Sequence, residues 1–309
     1  MSKVVITGVS GFIGSALADY LTNIGYEVIG IDRLAWVNQK DREFYLQDIN
    51  DILPNIRDVD VVVHLAALAG VRNSHERFEQ VCKDNILGTQ RIIKKCIDNW
   101  KPRRLLLASS SSVYGDLGRD GHSLIEDEGV SPRSPYALSK VANEELMKTY
   151  KNCGMLDGID IACMRFFTVY GPHQRNELAI RAFTDWIIRN KPITLYGDGS
   201  QKRDFTSIHD ICSGIETLIS YPLPFLPYDI YNIGSNNSIS INKIIKMMCD
   251  ITDKDVTIHY EPRNQYDVDC TNANIYRMES MGWKPKIKFE DGLKEQIEWQ
   301  MEMLEDGKV

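Results

Sequence analysis

The first half of the chain alternates short apolar runs with longer amphipathic stretches. The amphipathic stretches cover residues 12–24, 78–99 and 134–152 and predict helices. Short continuous apolar runs are typical of strands that are buried on both faces of a parallel sheet. These runs predict strands at 3–8, 27–32, 60–67, 104–110 and 159–167. Repeated strand–helix–strand units predict an α/β fold with a doubly wound parallel sheet.

The pattern changes after about residue 170. Helices are predicted at 178–190, 208–220, 240–252 and 289–304, with short strands at 193–197 and 231–234. Loops are predicted at Pro222, Pro224 and Pro227 and at residues 234–238. We expect residues 1–170 to form the sheet domain, with some later segments returning to it, and residues 171–309 to form mainly a smaller mixed α/β lobe. The cleft between them would bind a substrate.

Composition and charge exclude several classes of protein. The 309 residues are 43% hydrophobic and 26% charged, and the formal net charge of −7 gives no attraction for nucleic-acid phosphates. The seven cysteines include no Cys-x-x-Cys pair, and the six histidines lack the spacing of metal ligands. No segment approaches the roughly 18 apolar residues of a membrane span, and no signal-peptide pattern occurs. We expect a cytoplasmic protein with reduced thiols that binds no metal, nucleic acid or membrane.

A glycine-rich segment, "TGVSGFIGSAL", joins the first predicted strand to the first predicted helix. Gly8, Gly11 and Gly14 have the spacing that permits a tight turn, close approach to a pyrophosphate and close helix packing. Asp32 ends the second predicted strand, where an acid hydrogen-bonds the adenosine ribose and repels a 2′-phosphate. The segment predicts a Rossmann dinucleotide site with a preference for NAD over NADP, although the neighbouring Arg33 leaves NADP open.

The segment "SPYALSK" predicts a helix start that carries a phenol and an ammonium group on one face. Ser134 is a favoured N-cap, and Pro135 suits the first helical position. Tyr136 and Lys140 are one turn apart. One interpretation is an exposed helix start with a chance pairing. The other is a general base, because a nearby cation lowers the pKa of a phenol below its usual value of about 10.

These motifs together resemble the extended short-chain dehydrogenase/reductase family. The resemblance rests on Gly-x-x-Gly-x-x-Gly, on Tyr-x-x-x-Lys and on a serine run before "VYG" (113–115), and it extends over nearly the whole chain. Within the family, the chain is similar to nucleotide-sugar 4-epimerases, above all those acting on UDP-glucuronate. The resemblance implies an isomerase that uses NAD and a UDP-sugar.

The resemblance assigns a role to each residue of a catalytic triad. Tyr136 is the catalytic base and acid, and Lys140 hydrogen-bonds the nicotinamide ribose and lowers the pKa of the phenol. Ser110 hydrogen-bonds the sugar hydroxyl that is oxidised. Asn85 matches a family asparagine that supports the active site. Asp48 and its neighbour would contact the adenine, and residues 64–67 would lie against the cofactor. The implied cofactor-binding residues are Gly8, Gly11, Phe12, Ile13, Gly14, Asp32, Asp48, Ile49, Leu65, Ala66, Ala67, Tyr136 and Lys140.

The positions around the triad bear on the type of reaction. Sugar 4,6-dehydratases carry an Asp-Glu pair where this chain has Ser111 and Ser112, which argues against dehydration. A 4-keto-glucuronate is a β-keto acid, so an epimerase must fix its carboxylate to prevent decarboxylation. Thr168 in "RFFTVYGP" and Arg175 are the candidates for that task. The segment "HQRNELA" (173–179) departs from the common "GRPDMA", which leaves the sugar open.

Further residues are candidates for holding the nucleotide part of the substrate. Arg203 and Arg263 would bind the diphosphate, because guanidinium pairs well with phosphate oxygens. Asp267 would bind a ribose or position Arg263, and Tyr196 would line the base pocket. The implied substrate-binding residues are Ser110, Ser111, Ser112, Thr168, Arg175, Tyr196, Arg203, Arg263 and Asp267. The resemblance also implies a homodimer that forms through segments 78–99 and 134–152.

The leading prediction is 4-epimerisation of UDP-glucuronate to UDP-galacturonate through a transient 4-keto intermediate. The first alternative is a 4-epimerase acting on UDP-glucose or UDP-N-acetylglucosamine. The next alternative is a UDP-glucuronate decarboxylase. An alternative of another class is a non-catalytic NAD-binding regulatory protein. The presence of Ser110, Tyr136 and Lys140 argues against it, because a pure binder needs no tunable phenol.

Overall fold

The structure, a computed structural model, describes residues 1–222, 228–263 and 267–305. Seven of the described strands form one sheet, in which every pair of neighbours is parallel, in the order β10-β6-β5-β4-β1-β2-β3. The strands are β1 (Lys3–Thr7), β2 (Glu27–Asp32), β3 (Glu43–Leu46), β4 (Val61–His64), β5 (Arg104–Ser110), β6 (Asp160–Phe166), β7 (Thr168–Tyr170), β8 (Ile193–Tyr196), β9 (Lys202–Ser207), β10 (Tyr228–Ile233), β11 (Ser238–Ser240) and β12 (Ile258–Glu261).

Helices cover both faces of this sheet. The α-helices of the described residues, in the whole fold, are α1 (Phe12–Asn23), α2 (Phe78–Val81), α3 (Gly88–Lys95), α4 (Pro135–Asn152), α5 (Ala179–Ile188), α6 (Ile208–Ser220), α7 (Ile241–Thr252), α8 (Tyr276–Ser280) and α9 (Phe289–Glu305). Alternate residues of β1 face opposite sides: Val4 packs with Leu17 of α1 and Ile215 of α6, whereas Val5 packs with Ile92 of α3. Because both faces are buried, the strands are continuous apolar runs.

The C-terminal half builds a smaller mixed lobe on a separate core. Strands β11, β9 and β7 form a three-stranded sheet, and β12 pairs with β8. Helices α5, α7 and α9 bury apolar side chains against β8 and β9. The predicted fold, a doubly wound parallel sheet with a smaller mixed lobe, is confirmed. The predicted loop prolines Pro224 and Pro227 lie outside the described residues.

Several elements differ from the sequence-based expectation. The strand predicted at 231–234 begins at Tyr228 and pairs with β6 in the large sheet. The strand predicted at 60–67 ends at His64, so the three following residues lie beyond the sheet edge. The helix predicted at 78–99 is interrupted by two π-helical turns, Cys82–Leu87 and Cys96–Trp100. Such turns are frequent at functional sites.

Candidate functional site

The glycine-rich turn lies where the strand order of the large sheet reverses, between β1 and β4. Gly8 has a φ of +77°, and a Cβ there would lie 2.6 Å from the backbone nitrogen of Ala66. A Cβ at Gly14 would lie 2.2 Å from the carbonyl oxygen of Gly8. Gly11 is the N-cap of α1 and offers no side-chain cap to the helix. The first-turn N–H groups of α1 are therefore suited to an anion such as a pyrophosphate.

Asp32 braces this turn from the end of β2. Its carboxylate accepts the backbone N–H of Ser10 at 3.0 Å and that of Leu34 at 2.9 Å. Arg33 points to two carboxylates instead, with its Nη1 3.0 Å from Asp84 and 3.7 Å from Asp48. Arg33, the residue that could have bound the 2′-phosphate of NADP, is thus paired with acidic side chains. This pairing favours NAD over NADP.

The other residues assigned to the cofactor follow strands β1, β3 and β4. Phe12 and Ile13, at the start of α1, are partly buried against the core. The carboxylate of Asp48 accepts the backbone N–H of Asn50 at 2.8 Å, and the side chain of Ile49 is buried in the core. Leu65, Ala66 and Ala67 follow β4, and the N–H of Leu65 donates to the carbonyl of Thr7 at 3.1 Å.

The three residues of the predicted triad lie together at the carboxyl end of β5. Ser110 ends β5 and hydrogen-bonds to Tyr136, the second residue of α4. The Nζ of Lys140 lies 5.7 Å from the centroid of the Tyr136 ring and donates to the carbonyl of Ala108 at 2.8 Å. Ser134 caps α4 by accepting the N–H of Ala137 at 3.1 Å. The predicted helix start is confirmed.

Burial and charge act on the two titratable groups of the triad in different ways. Burial raises the pKa of Tyr136, while the Ser110 hydrogen bond and the positive charge of Arg175 lower it. Burial lowers the pKa of Lys140 to about 8, and the carboxylate of Glu144 opposes that shift. Lowering of the phenol pKa by Lys140 stays a prediction. Arg175 is the cation whose charge acts on the phenol in the described structure.

A buried ion pair behind the triad was not found from the sequence. Glu144, one turn beyond Lys140 on α4, pairs through both carboxylate oxygens with Arg165 of β6, at 2.9 and 2.8 Å. The hydroxyl of Ser109, next to Ser110, donates to Glu144 at 2.5 Å. Glu144 therefore joins the helix that carries Tyr136 to the strand that carries Ser110.

Asn85 lies in the first π-helical turn and is fully buried. Its Oδ1 accepts the N–H of Leu68 at 2.7 Å, and its Nδ2 donates to Ser139 of α4 at 2.9 Å. Ser139 in turn donates to the carbonyl of Tyr136 at 2.7 Å. Asn85 thus connects the segment after β4 to the helix start that carries the phenol, which agrees with its predicted supporting place.

His64 is a buried structural residue, and we expect it to make the protein acid-sensitive. It lies between the hydroxyls of Thr7 and Thr89, at 2.7 and 3.0 Å, and burial lowers its pKa from 6.5 to about 3. The unfolded chain binds this proton more readily than the folded protein does. The contribution of His64 to the free energy of unfolding is therefore fully present above pH 6.5. It should fall by about 1.4 kcal/mol per pH unit as the pH drops below that value.

Urea unfolding between pH 7 and pH 4 would measure this loss. We expect His64→Asn to be less stable at pH 7 but to show a shallower pH dependence. The matched control is His259→Asn at an exposed position, which should keep the wild-type slope. Equal slopes for wild type and His64→Asn would contradict the assignment.

The serines and the threonine of the predicted sugar site follow the neighbouring strands β5 and β6. Ser111 and Ser112 begin the short turn that follows β5, and the N–H of Ser112 donates to Ser110 at 3.2 Å. The Oγ of Ser112 is shielded from solvent and has no hydrogen-bond partner among the described residues. Thr168 begins β7, two residues beyond Phe166, the partner of Ser110 in the β5–β6 ladder.

The candidate residues for the nucleotide form a second group. The Nη2 of Arg263 donates to the carbonyl oxygen of Asp267 at 3.1 Å. Burial lowers the pKa of Arg203, Asp267 opposes this shift, and the positive charges of Arg263 and Arg72 add to it. The three guanidinium groups therefore converge, which suits a diphosphate.

Arg72 is a member of this group that sequence analysis missed. Its guanidinium lies 5.1 Å from the centroid of the Tyr196 ring and pairs with the carboxylate of Asp267 at 3.2 Å. That carboxylate pairs with Arg72 in the structure, and its expected role in binding a ribose or positioning Arg263 stays a prediction. The signal available was the arginine that ends "LAALAGVR".

The described residues show neither a metal-binding cluster nor a membrane-spanning helix. Within residues 1–222, 228–263 and 267–305, no three acidic, histidine or cysteine side chains are grouped in a way that would hold a metal ion. None of the helices described there is long and apolar enough to cross a membrane.

Comparison with known proteins gives matches over almost the whole chain. Residues 4–234 match the model of the NAD-dependent epimerase/dehydratase family. The chain is 36% identical over 326 aligned residues to UDP-glucuronate 4-epimerase of Thermodesulfobacterium geofontis (strain OPF15). This alignment covers 99% of this chain and 98% of the relative.

Solved structures of similar proteins contain both a cofactor and a nucleotide sugar. MoeE5 in complex with UDP-glucose and NAD matches with a TM-score of 0.91 at 32% identity, covering 98% of this chain and all of that one. UDP-glucuronic acid 4-epimerase from Bacillus cereus, in complex with UDP-glucuronic acid and NAD, matches with a TM-score of 0.88 at 31% identity, covering 97% and 99%.

Proposed function

Because this chain belongs to the NAD-dependent epimerase/dehydratase family, we propose that it interconverts UDP-glucuronate and UDP-galacturonate through a transient 4-keto intermediate. The resemblance to extended short-chain dehydrogenases/reductases, the use of NAD and the prediction of an enzyme are confirmed. The glycine turn, Asp32 and the open N-terminus of α1 fit that cofactor.

The observation that carries the proposal is a cation, Arg175, in the loop that follows Thr168 and β7. Its positive charge is near enough to lower the pKa of Tyr136. A carboxylate at C5 of a sugar whose C4 hydroxyl faces Tyr136 would find a cation there. UDP-glucuronate carries such a carboxylate, whereas UDP-glucose carries a neutral hydroxymethyl group. The solved epimerase from Bacillus cereus, which holds UDP-glucuronic acid, supports the same substrate.

The triad performs the proton transfer of the reaction. Bound NAD supplies the reversible oxidation of an alcohol carbon. Tyr136 takes the proton of the C4 hydroxyl, and Ser110 hydrogen-bonds that oxygen. Lys140 is held by the carbonyl of Ala108, so its charge stays beside the phenol ring. After the 4-keto sugar has rotated in the site to present its opposite face, Tyr136 returns the proton, and the product is the C4 epimer.

The serine turn and Thr168 complete the sugar site in this proposal. Ser112 presents a shielded hydroxyl without a partner among the described residues, which a sugar hydroxyl or carboxylate would satisfy. Thr168 and Arg175 hold the carboxylate out of line with the C4 carbonyl. Neither Ser111 nor Ser112 is an acid, so elimination of water from the sugar lacks its catalyst.

The arginine group binds the diphosphate of the same substrate. Arg72, Arg203 and Arg263 provide three cations, of which Asp267 and Asp269 neutralise part. Tyr196, whose ring packs on the Arg72 guanidinium, is placed to line the base pocket.

A cytoplasmic homodimer is part of the proposal. Phe78 at the start of α2, Leu87 in the following turn and Leu138 of α4 are each about half exposed, on the two segments expected to pair. No disulfide joins any of the seven cysteines in the described part of the chain, which supports a reducing compartment.

Incubation of the purified protein with UDP-glucuronate, followed by proton NMR, tests the function. We expect UDP-galacturonate to accumulate to an equilibrium mixture without added reductant. UDP-xylose or a 4-keto pentose, together with carbon dioxide, would identify a decarboxylase instead. Absence of any product would reject glucuronate, and conversion of UDP-glucose or UDP-N-acetylglucosamine would then identify the alternative epimerases.

A further inference from the structure

The loop between β7 and α5, which carries Arg175, is anchored by one buried amide. Gln174 is 1% exposed. Its Nε2 donates to the carbonyl of Val169 at 2.8 Å, and its Oε1 accepts the N–H of Arg181 in the first turn of α5 at 3.2 Å. The Arg181 guanidinium donates back to the carbonyl of Gln174 at 2.9 Å. Both ends of the loop are therefore fixed through the residue next to Arg175.

Gln296 of the C-terminal helix α9 holds that amide in place. It is fully buried, and its Nε2 donates to the Oε1 of Gln174 at 2.8 Å. Its own Oε1 accepts the N–H of Gly171 at 2.8 Å, at the start of the loop. Because both groups of the Gln296 amide are used on the loop, its loss would leave the buried N–H of Gly171 without this partner and would remove one of the two hydrogen bonds that the Oε1 of Gln174 accepts.

The same face of α9 makes further contacts with the loop and with α5. Trp299 and Gln300 lie three and four residues beyond Gln296, so they share its side of the helix. The Trp299 ring lies 4.7 Å from the ring of His173 and 4.7 Å from the Arg181 guanidinium. His173 has a φ of +66°, a conformation that persists only when its surroundings impose it. Helix α9 therefore selects this loop conformation.

Arg175 itself has little to hold it. Its ion pair with Glu177, at 3.2 Å, joins side chains that are 39% and 62% exposed. Such pairs contribute little, because water and salt screen them. The position of the Arg175 guanidinium relative to Tyr136 is therefore set by the backbone of the loop, and through it by Gln174 and Gln296.

We propose that Gln296 is a positioning residue which, through Gln174, keeps Arg175 where it fixes the C5 carboxylate of the 4-keto sugar. This inference rests on the proposed function. In decarboxylation the C5–C6 bond breaks, its electron pair enters the C4 carbonyl as an enolate, carbon dioxide leaves, and C5 takes a proton. That bond must first line up with the carbonyl π-system, which a firmly held carboxylate prevents. The C-terminal helix thus decides how completely the intermediate is directed to the epimer.

The variant Gln296→Leu, tested as the full-length protein with bound NAD, should loosen this control. We expect the ratio of decarboxylated product to UDP-galacturonate to rise about fivefold, as the loss of a single hydrogen bond would give. Reduced NAD should accumulate on the enzyme, because a 4-keto pentose that leaves the site does not take the hydride back. The near-ultraviolet absorbance of reduced NAD would measure this accumulation. The matched control is Glu298→Gln on the solvent face of α9, which should behave as wild type.

The variant Gln174→Ala and the double variant with Gln296→Leu complete a cycle. If Gln296 acts through Gln174, the double variant should give the same ratio of decarboxylated product to UDP-galacturonate as Gln174→Ala alone. Gln174→Ala also carries the test if Gln296→Leu does not fold, as judged by thermal melting. A wild-type product ratio and KM in every folded variant would overturn the inference. Absence of any epimer from the wild-type protein would instead reject the proposed function.

Discussion

Tyr136→Phe should lower kcat by about 10²- to 10⁴-fold, the usual contribution of a positioned acid–base group, while NAD binding is retained. The phenol is the one group of the triad placed to accept the hydroxyl proton, since Lys140 is turned to the carbonyl of Ala108. Removal of the hydroxyl leaves the ring, its 5.7 Å contact with the Lys140 ammonium and the helix cap unchanged. The effect should therefore fall on kcat and not on folding.

Epimer formation by NMR and NAD content after denaturation would together measure this effect. The matched control is Tyr150→Phe on the same helix, whose hydroxyl accepts only from Gln90, at 3.3 Å, among the bonds described. We expect Tyr150→Phe to retain wild-type kcat. Turnover by Tyr136→Phe at the wild-type rate would show that another group carries the proton.

Glu144→Gln should have two separate effects. It leaves the Arg165 guanidinium buried without its anion, and breaking such a pair costs about 3–5 kcal/mol of stability. It also removes the charge that supports the Lys140 ammonium against burial. The pKa of Lys140, about 8 in the intact protein, should then decrease further. Since the ammonium must stay protonated beside the phenol, the alkaline limb of the kcat profile should move to lower pH.

Ser109→Ala separates the two effects, because it removes the 2.5 Å hydrogen bond to Glu144 and leaves the carboxylate charge. We expect Ser109→Ala to lose about 1 kcal/mol of stability and to keep the wild-type alkaline limb. Urea unfolding and pH profiles of kcat measure the two quantities. An alkaline limb that does not move in Glu144→Gln would mean that Glu144 acts on stability alone.

Local features of the chain made the fold and the centre of the site predictable. Strand β2 and strand β5 have the predicted bounds, because they are apolar on both faces and end at polar residues. Tyr136 and Lys140 could be paired because helical spacing alone brings them to one face. Strand β3 was missed, since this edge strand is half exposed and alternates too weakly to be recognised.

Contacts between distant segments account for what the sequence did not reveal. Arg72 meets Asp267 across 195 positions of the chain. Gln174 meets Gln296 across 122 positions, and no periodicity links them. Glu144 lies on a predicted helix, and its partner Arg165 lies inside a predicted strand. Nothing in the sequence indicates that the two form an ion pair, because the pair exists only once the helix has packed on the strand.

The place of β10 has a consequence for synthesis of the protein. This strand covers the outer edge of β6, although it lies more than 60 positions further along the chain. While the ribosome has made only the first 170 or so residues, the N–H and C=O groups along that edge of β6 face water, and an open edge invites pairing with other chains. The large sheet can therefore be completed only after Ile233 has emerged, so its folding is tied to translation of about the first half of the C-terminal region.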